Sequence, residues 1–71
     1  SAWQRAIVLM VLAGEGEPMS IPALCFRLLT DATTVNAELQ VLMEFGAVAR
    51  AQGHARRWLY APSQVVRMAA A

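Results

Sequence analysis

The sequence predicts a small α+β domain with three helices, a β-hairpin and a short last helix. The chain has 71 residues, which is enough for one small hydrophobic core and too few for two. Its middle third has apolar residues at helical spacing, ending at Gly46. Two strand-like segments then follow, at 47–51 and 56–60, on either side of a turn-forming tetrapeptide.

The first helix is predicted over residues 3–13, and it is apolar on both faces. A helix that is apolar all round is buried on more than one side. We therefore expect one face to pack on the core and the other to meet a second subunit, the alternative being a fused domain that covers it. The expected core stripe is Trp3, Ala6, Ile7, Met10, Val11 and Gly14. The expected partner surface is Val8, Leu9, Leu12, Val65 and Met68.

Short segments connect the first helix to the third and close the chain. Residues 19–21 predict one short strand that can pair with the hairpin. Pro22 opens a second helix that extends to Leu29, because the first turn of a helix does not need the missing N–H. Ser63 is expected to cap a last helix over residues 64–71.

The third helix is the element around which the chain is organised, and it is predicted over about residues 32–45. Asp31 or Thr33 can begin it by accepting a hydrogen bond from a free backbone N–H. Gly46 lies where the helix end needs a left-handed residue. The apolar stripe of this helix is Val35, Leu39 and Leu42.

The predicted hairpin covers about residues 47–60 and turns at residues 52–55. Trp58 and Tyr60 alternate onto one strand face, and core packing is the simplest role for both rings. The segment from Gly46 onward has four arginines and no acidic residue, a net charge of +4. The segment before it has five acidic residues and two arginines, a net charge of −3. A basic end of this kind suits a polyanionic partner.

Composition excludes several classes of protein and favours a partner surface. Hydrophobic residues make up 58% of the chain and charged residues 15%, against roughly 45–50% and 25% in typical domains. The apolar excess predicts a partner, most simply a second copy. A single cysteine, Cys25, excludes an internal disulfide and favours a reducing compartment such as the cytoplasm. The longest apolar run, residues 6–13, is too short for a membrane span, which needs about 20.

No residue pattern predicts an enzyme, a metal site, a cofactor or a small-molecule ligand. The only histidine, His54, has no second histidine or cysteine at a ligand spacing. The serines have no histidine partner, no pair of carboxylates lines an apolar cleft, and there is no glycine-rich phosphate loop.

Four segments match motifs of one known family. Residues 19–25 match a strand followed by "x-x-L-A", with Cys25 at the alanine position, and residues 33–42 match "S-T-V-x-x-x-L-x-x-L". Residues 45–48 match "x-G-L-V", and residues 57–62 match "R-Y-x-L-T-P". Over about residues 6–62 the chain resembles the winged helix-turn-helix family, in particular bacterial regulators of the MarR, ArsR and PapI types. The chain departs from the family pattern in two places. Leu29-Thr30 replaces Gly-Leu in the turn between the second and third helices, and the third helix lacks Arg and Lys.

The resemblance implies a transcriptional regulator that binds duplex DNA, with the third helix in the major groove and the hairpin, or wing, along the phosphates. It also implies a homodimer on a roughly palindromic site. Glu38 is expected near the phosphates. The helix residues expected to read bases are Thr33, Thr34, Asn36, Ala37 and Gln40. The wing residues expected to bind phosphates are Arg50, His54, Arg56 and Arg57.

The alternative is a protein-interaction module of the same fold that does not bind DNA. Several apolar residues lie off the expected core stripes and can form a docking patch. They are Val41, Met43 and Phe45, together with Val8, Leu9 and Phe26.

Overall fold

A computed structural model describes residues 1–70 of the chain, and this part has four α-helices and one two-stranded antiparallel sheet. This is the predicted α+β class with the predicted order of helices and hairpin, the short strand expected between the first two helices being the exception. The end of the expected last helix, at Ala71, lies outside the described residues. The elements are α1 (Ala2–Gly14), α2 (Ile21–Leu28), α3 (Ala32–Glu44), β1 (Val48–Gln52), β2 (Trp58–Pro62) and α4 (Gln64–Ala70).

The core is built around α3, which packs against α1, α2 and β1. The predicted stripe of α3 is confirmed, because Val35, Leu39 and Leu42 are all buried. Leu24 of α2 and Tyr60 of β2 complete the centre of the cluster. Each of these side chains is almost fully removed from water, so the three helices and the hairpin share one apolar core.

Both ends of α3 are determined by local chemistry. Asp31, rather than Thr33, is the N-cap, and its Oδ1 accepts a 2.7 Å hydrogen bond from the backbone N–H of Thr34. At the other end Gly46 has the predicted left-handed backbone, with a φ of 74°. The N–H groups of Gly46 and Ala47 donate to the carbonyls of Met43 and Leu42 at 3.0 and 2.9 Å. This pair of bonds is the Schellman motif that ends many helices.

The core face of α1 is only partly the one expected, since Ile7 and Val11 are half-buried but several residues are not where they were predicted. Val8 and Leu12 are 3% and 1% exposed and lie in the core, so their assignment to a partner surface is wrong. Trp3 and Met10, which were expected in the core, are 74% and 71% exposed. Both faces are apolar, so helical periodicity alone cannot choose between them. Leu9 is half-buried and packs against the core.

The predicted strand at 19–21 is reduced to one bridge. Met19 pairs with Tyr60 of β2 through two backbone hydrogen bonds of 2.8 Å. Ile21 is the first residue of α2, because Ser20 is the N-cap and its side chain accepts from the N–H of Ala23. The bridge fastens the start of α2 to the hairpin.

The hairpin strands lie slightly later in the chain than predicted. β1 and β2 pair in a register that places Arg50 opposite Tyr60 and Gln52 opposite Trp58. The turn is therefore made by His54–Arg56, not by residues 52–55. Ala55 and Arg56 both have positive φ, at 58° and 61°, and the N–H of Arg57 donates to the carbonyl of His54. Two left-handed central residues make this a type I′ turn, whose twist matches that of the strands.

Candidate nucleic-acid interface

The outer face of α3 is polar, uncharged over its first two turns, and open to solvent. Its side chains lie opposite the buried stripe of the helix. The exposed residues there are Thr33, Asn36, Ala37 and Gln40. Asn36 Oδ1 accepts from Gln40 Nε2 at 3.5 Å, a long hydrogen bond that an outside partner can replace. Four of the five residues expected on this helix therefore form one exposed ridge.

Thr34, the fifth residue expected to read bases, is less exposed than the other four. It is half-buried and lines a cavity of about 260 Å³ between α1 and α3, together with Gln4, Leu28 and Thr30. Its side chain therefore lies at the inner edge of the ridge, towards α1.

Glu38 points into the molecule, which corrects the expectation that it lies near phosphates. Its residue surface is 5% exposed. Arg5 Nε donates to Oε1 at 3.0 Å, and the backbone nitrogen of Ser1 donates to Oε2 at 2.7 Å. The bond from the Ser1 ammonium lowers the pKa of Glu38, burial opposes this, and Arg5 lowers the pKa further. The outer ridge of α3 therefore carries no carboxylate at this position.

The sequence contains a signal that Glu38 is buried and paired with a cation. Glu38 lies on the helical stripe between Val35 and Leu42, and a carboxylate on a buried stripe needs a cation. Before the hairpin the only side-chain cations are Arg5 and Arg27. The choice between them depends on tertiary packing, and Arg27 instead pairs with Glu15.

The hairpin presents the three arginines and the one histidine expected there. Arg50, His54, Arg56 and Arg57 are all exposed. The ion pairs within residues 1–70 involve Glu38 and Glu15, and none of them includes a hairpin arginine. The positive charge of Arg5 and Arg27 is thus balanced locally, whereas that of the hairpin faces solvent.

Trp58 belongs to this surface rather than to the core. Tyr60 is buried as predicted, but Trp58 is 41% exposed and its assignment to the core is wrong. It lies nearer the hairpin tip, beyond the reach of the helices, on the sheet face that it shares with Tyr60. The guanidinium carbon of Arg50 lies 4.0 Å from the centre of its ring. This cation–π contact restricts the guanidinium to one side of the hairpin.

Other kinds of site find little support in the described part of the chain. Within residues 1–70 no three histidine, cysteine or acidic side chains are grouped so that they can hold a metal ion. None of the helices described there has both the length and the apolar character that crossing a bilayer requires. A scan against protein-family models finds no match to the sequence, and a search of curated proteins also finds none.

Proposed function

We propose that this protein is a winged helix-turn-helix domain that binds duplex DNA sequence-specifically and regulates transcription. In this proposal α3 enters the major groove, and the hairpin is the wing that follows the neighbouring phosphates. The observation that carries it is the combination of an exposed ridge on α3 that is uncharged from Thr33 to Gln40 with a hairpin whose arginines take part in none of the ion pairs of residues 1–70. The order of three helices and a hairpin also supports it.

The α3 ridge has the chemistry for reading base edges. Asn36 and Gln40 carry amides that can bond adenine through two hydrogen bonds. Ala37 and the methyl group of Thr33 can contact a thymine methyl. Because Glu38 is turned inward, the phosphates beside this ridge do not meet its charge. The ridge therefore supplies sequence readout without supplying most of the affinity.

The hairpin has the chemistry for binding the phosphate backbone. Arginines bind phosphates through charge-assisted hydrogen bonds, which position a protein without reading sequence. Arg56 and Arg57 lie at and just after the type I′ turn, and Arg50 is held on the ring of Trp58. Three or four such contacts make affinity strongly dependent on salt.

A second candidate function is protein docking through an apolar surface. It is favoured by the exposure of Phe26, Leu29 and Phe45, none of which has a place in the core. Large exposed apolar side chains often mark interaction sites. Such a module would show no affinity for duplex DNA at any salt concentration.

The test is a titration of duplex DNA of random sequence at several salt concentrations. The logarithm of the affinity is expected to fall with the logarithm of salt concentration with a slope of about −3, since each phosphate contact contributes about −0.9. Arg56→Ala together with Arg57→Ala is expected to weaken binding and to reduce this slope by about 2. Arg67→Ala is the matched control, because it removes an exposed arginine of α4 outside the hairpin.

Sequence readout is tested on duplexes selected from a random pool by the wild-type protein. Gln40→Ala is expected to weaken binding to the selected duplex by about 1–3 kcal/mol and to leave random duplexes nearly unaffected. Equal losses on both duplexes would contradict base reading by α3. An absence of duplex binding would favour the docking module.

A further inference from the structure

One aromatic ring of the hairpin lies outside the core. Trp58 is 41% exposed, whereas Tyr60, two residues later on the same strand face, is buried. Val48, on the same sheet face of β1, is buried as well. The ring of Trp58 therefore lies where this face extends past the helices towards the turn.

Arg50 lies against this ring and leaves part of it open. The two residues are diagonal neighbours, because Arg50 pairs with Tyr60 and the strands are antiparallel. The guanidinium carbon of Arg50 is 4.0 Å from the centre of the ring. The exposed fraction of Trp58 is that which remains with Arg50 in this position, so the ring still offers surface to a ligand. A guanidinium that lies on a ring keeps its N–H donors available to an anion.

The surroundings of the ring are cationic. His54 and Arg56 lie in the turn before β2, and Arg57 follows them; all three are exposed. Residues 46–71 contain no acidic side chain. An open aromatic ring among cations suits a ligand that is flat at one end and anionic at the other. A nucleotide of a DNA strand has both parts, its base and its phosphate.

We propose that Trp58 and Arg50 form a stacking site for an unpaired base of DNA. This site rests on the proposed function, because its ligand is DNA and the hairpin is the element that binds phosphates. Within a duplex both faces of a base are covered by its neighbours, so a side-chain ring stacks only on a base outside the paired stack. The open part of the Trp58 ring takes that base, and the arginines of the hairpin bind the phosphates beside it.

The site gives the protein a preference for duplex DNA that adjoins unpaired nucleotides. Stacking one base on an aromatic side chain strengthens binding roughly five- to hundredfold, and every base has a face that can stack. The preference is therefore independent of the sequence that α3 reads. The preferred ligand has a paired segment for α3 and a single-stranded tail for the hairpin.

The test compares two forked duplexes that carry the same charge. Both have one end closed by hexaethylene glycol and, at the other end, an unpaired tail on each strand. The tails consist of thymidines in one duplex and of abasic nucleotides in the other, so only the bases differ. The thymidine fork is expected to bind the wild-type protein about tenfold more tightly than the abasic fork at the same salt concentration.

Three variants assign this preference to the ring. Trp58→Leu is expected to bind the two forks equally, and Trp58→Phe to keep part of the preference, because it keeps a smaller ring. Trp3→Leu is the matched control, since it removes the other exposed tryptophan, which lies on α1, and is expected to keep the full preference. Circular dichroism checks that the variants keep their helix content.

Trp58 fluorescence gives a readout that needs no substitution in the hairpin. In a Trp3→Phe background Trp58 is the only tryptophan of the chain. Stacking on a base quenches indole emission, so at saturation the thymidine fork is expected to quench it more strongly than the abasic fork.

Equal affinity of the wild-type protein for the two forks would overturn the stacking site. So would a preference that survives Trp58→Leu, or equal quenching by both forks. A duplex closed by hexaethylene glycol at both ends separates this site from the proposed function. Protein that binds the closed duplex but prefers neither fork loses only the stacking site, whereas protein that binds the thymidine fork and not the closed duplex loses only duplex reading.

Discussion

Glu38 holds α1 against α3 through a single carboxylate. It is buried on α3, and its partners are Arg5 and the backbone nitrogen of Ser1. Removing one partner from a buried ion pair leaves an uncompensated charge, which destabilises far more than the loss of a surface pair. The same ion pair lies beside the inward face of α1, where Val8 and Leu12 are buried.

We expect the stability of the protein to depend on the ionisation of Glu38. Its pKa is lowered from 4.5 in the folded state, so the unfolded chain binds the proton more tightly. The stabilisation is present above pH 4.5 and is lost as the pH falls through the folded pKa. Glu38→Gln is therefore expected to be less stable than wild type near neutral pH, with a difference that shrinks in acid. Urea unfolding across about pH 3 to 7 measures it.

Glu17→Gln is the matched control, since Glu17 is exposed and lies outside the ion pairs of the described chain. It is expected to follow the wild-type curve. A Glu38→Gln variant whose deficit stays constant down to the most acid pH would show that packing, not charge, is responsible.

At the scale of single elements, the backbone at the C-terminal end of α2 is strained. Its C-cap residue Leu29 has a left-handed backbone, with a φ of 54° and a ψ of 46°, where helices usually place glycine. A residue with a Cβ pays about 1–2 kcal/mol for this conformation. The side chain is 90% exposed, so it recovers little of that cost by packing. The connection between α2 and α3 is thus made through a strained backbone at Leu29.

Leu29→Gly is expected to raise the free energy of unfolding by about 0.5–1 kcal/mol, part of the relief being offset by the entropy of glycine in the unfolded chain. For a domain of this size that corresponds to several degrees in Tm, which calorimetry resolves. Phe26→Gly is the control, because it removes an exposed apolar side chain inside α2 and is expected to destabilise by about 1 kcal/mol. A loss of stability in Leu29→Gly would mean that Leu29 makes contacts that offset its strain.

At the scale of the whole molecule, stability depends on one small core in which α3 is central. Leu39 is fully buried among residues from the other helices and the hairpin. Leu39→Ala is expected to cost about 2–5 kcal/mol through lost burial and the cavity left behind. A domain of this length has a total stability of roughly 4–10 kcal/mol. The urea midpoint is therefore expected to fall by at least about a fifth and, near the middle of both ranges, by about half.

Phe26→Ala removes a larger side chain from the surface and is expected to change the free energy of unfolding by no more than about 0.5 kcal/mol. Comparing Leu39→Ala with Phe26→Ala separates the effect of burial on stability from the effect of side-chain size. A cost below about 1 kcal/mol for Leu39→Ala would mean that α3 is not the centre of the core.

The features predicted correctly are those whose causes lie within a few residues. The apolar stripe of α3, its start at Asp31 or Thr33 and its end at Gly46 follow from helical spacing and capping chemistry. The exposed ridge of α3 was identified by removing that stripe. The positive charge of the hairpin follows from the sequence because the acidic residues all precede Gly46.

Local chemistry therefore determines the order of the helices and the hairpin, the two ends of α3, and the outer side chains of α3. Which faces of α1 and of the hairpin are buried is decided by tertiary packing alone. Both faces of α1 are apolar, so its orientation depends on contacts with residues distant in sequence, among them that of Arg5 with Glu38, 33 residues away along the chain. Tyr60 and Trp58 have the same alternation, and only the reach of the helices buries one and leaves the other exposed. Periodicity specifies which residues share a face, whereas the location of the neighbouring elements specifies which face is buried.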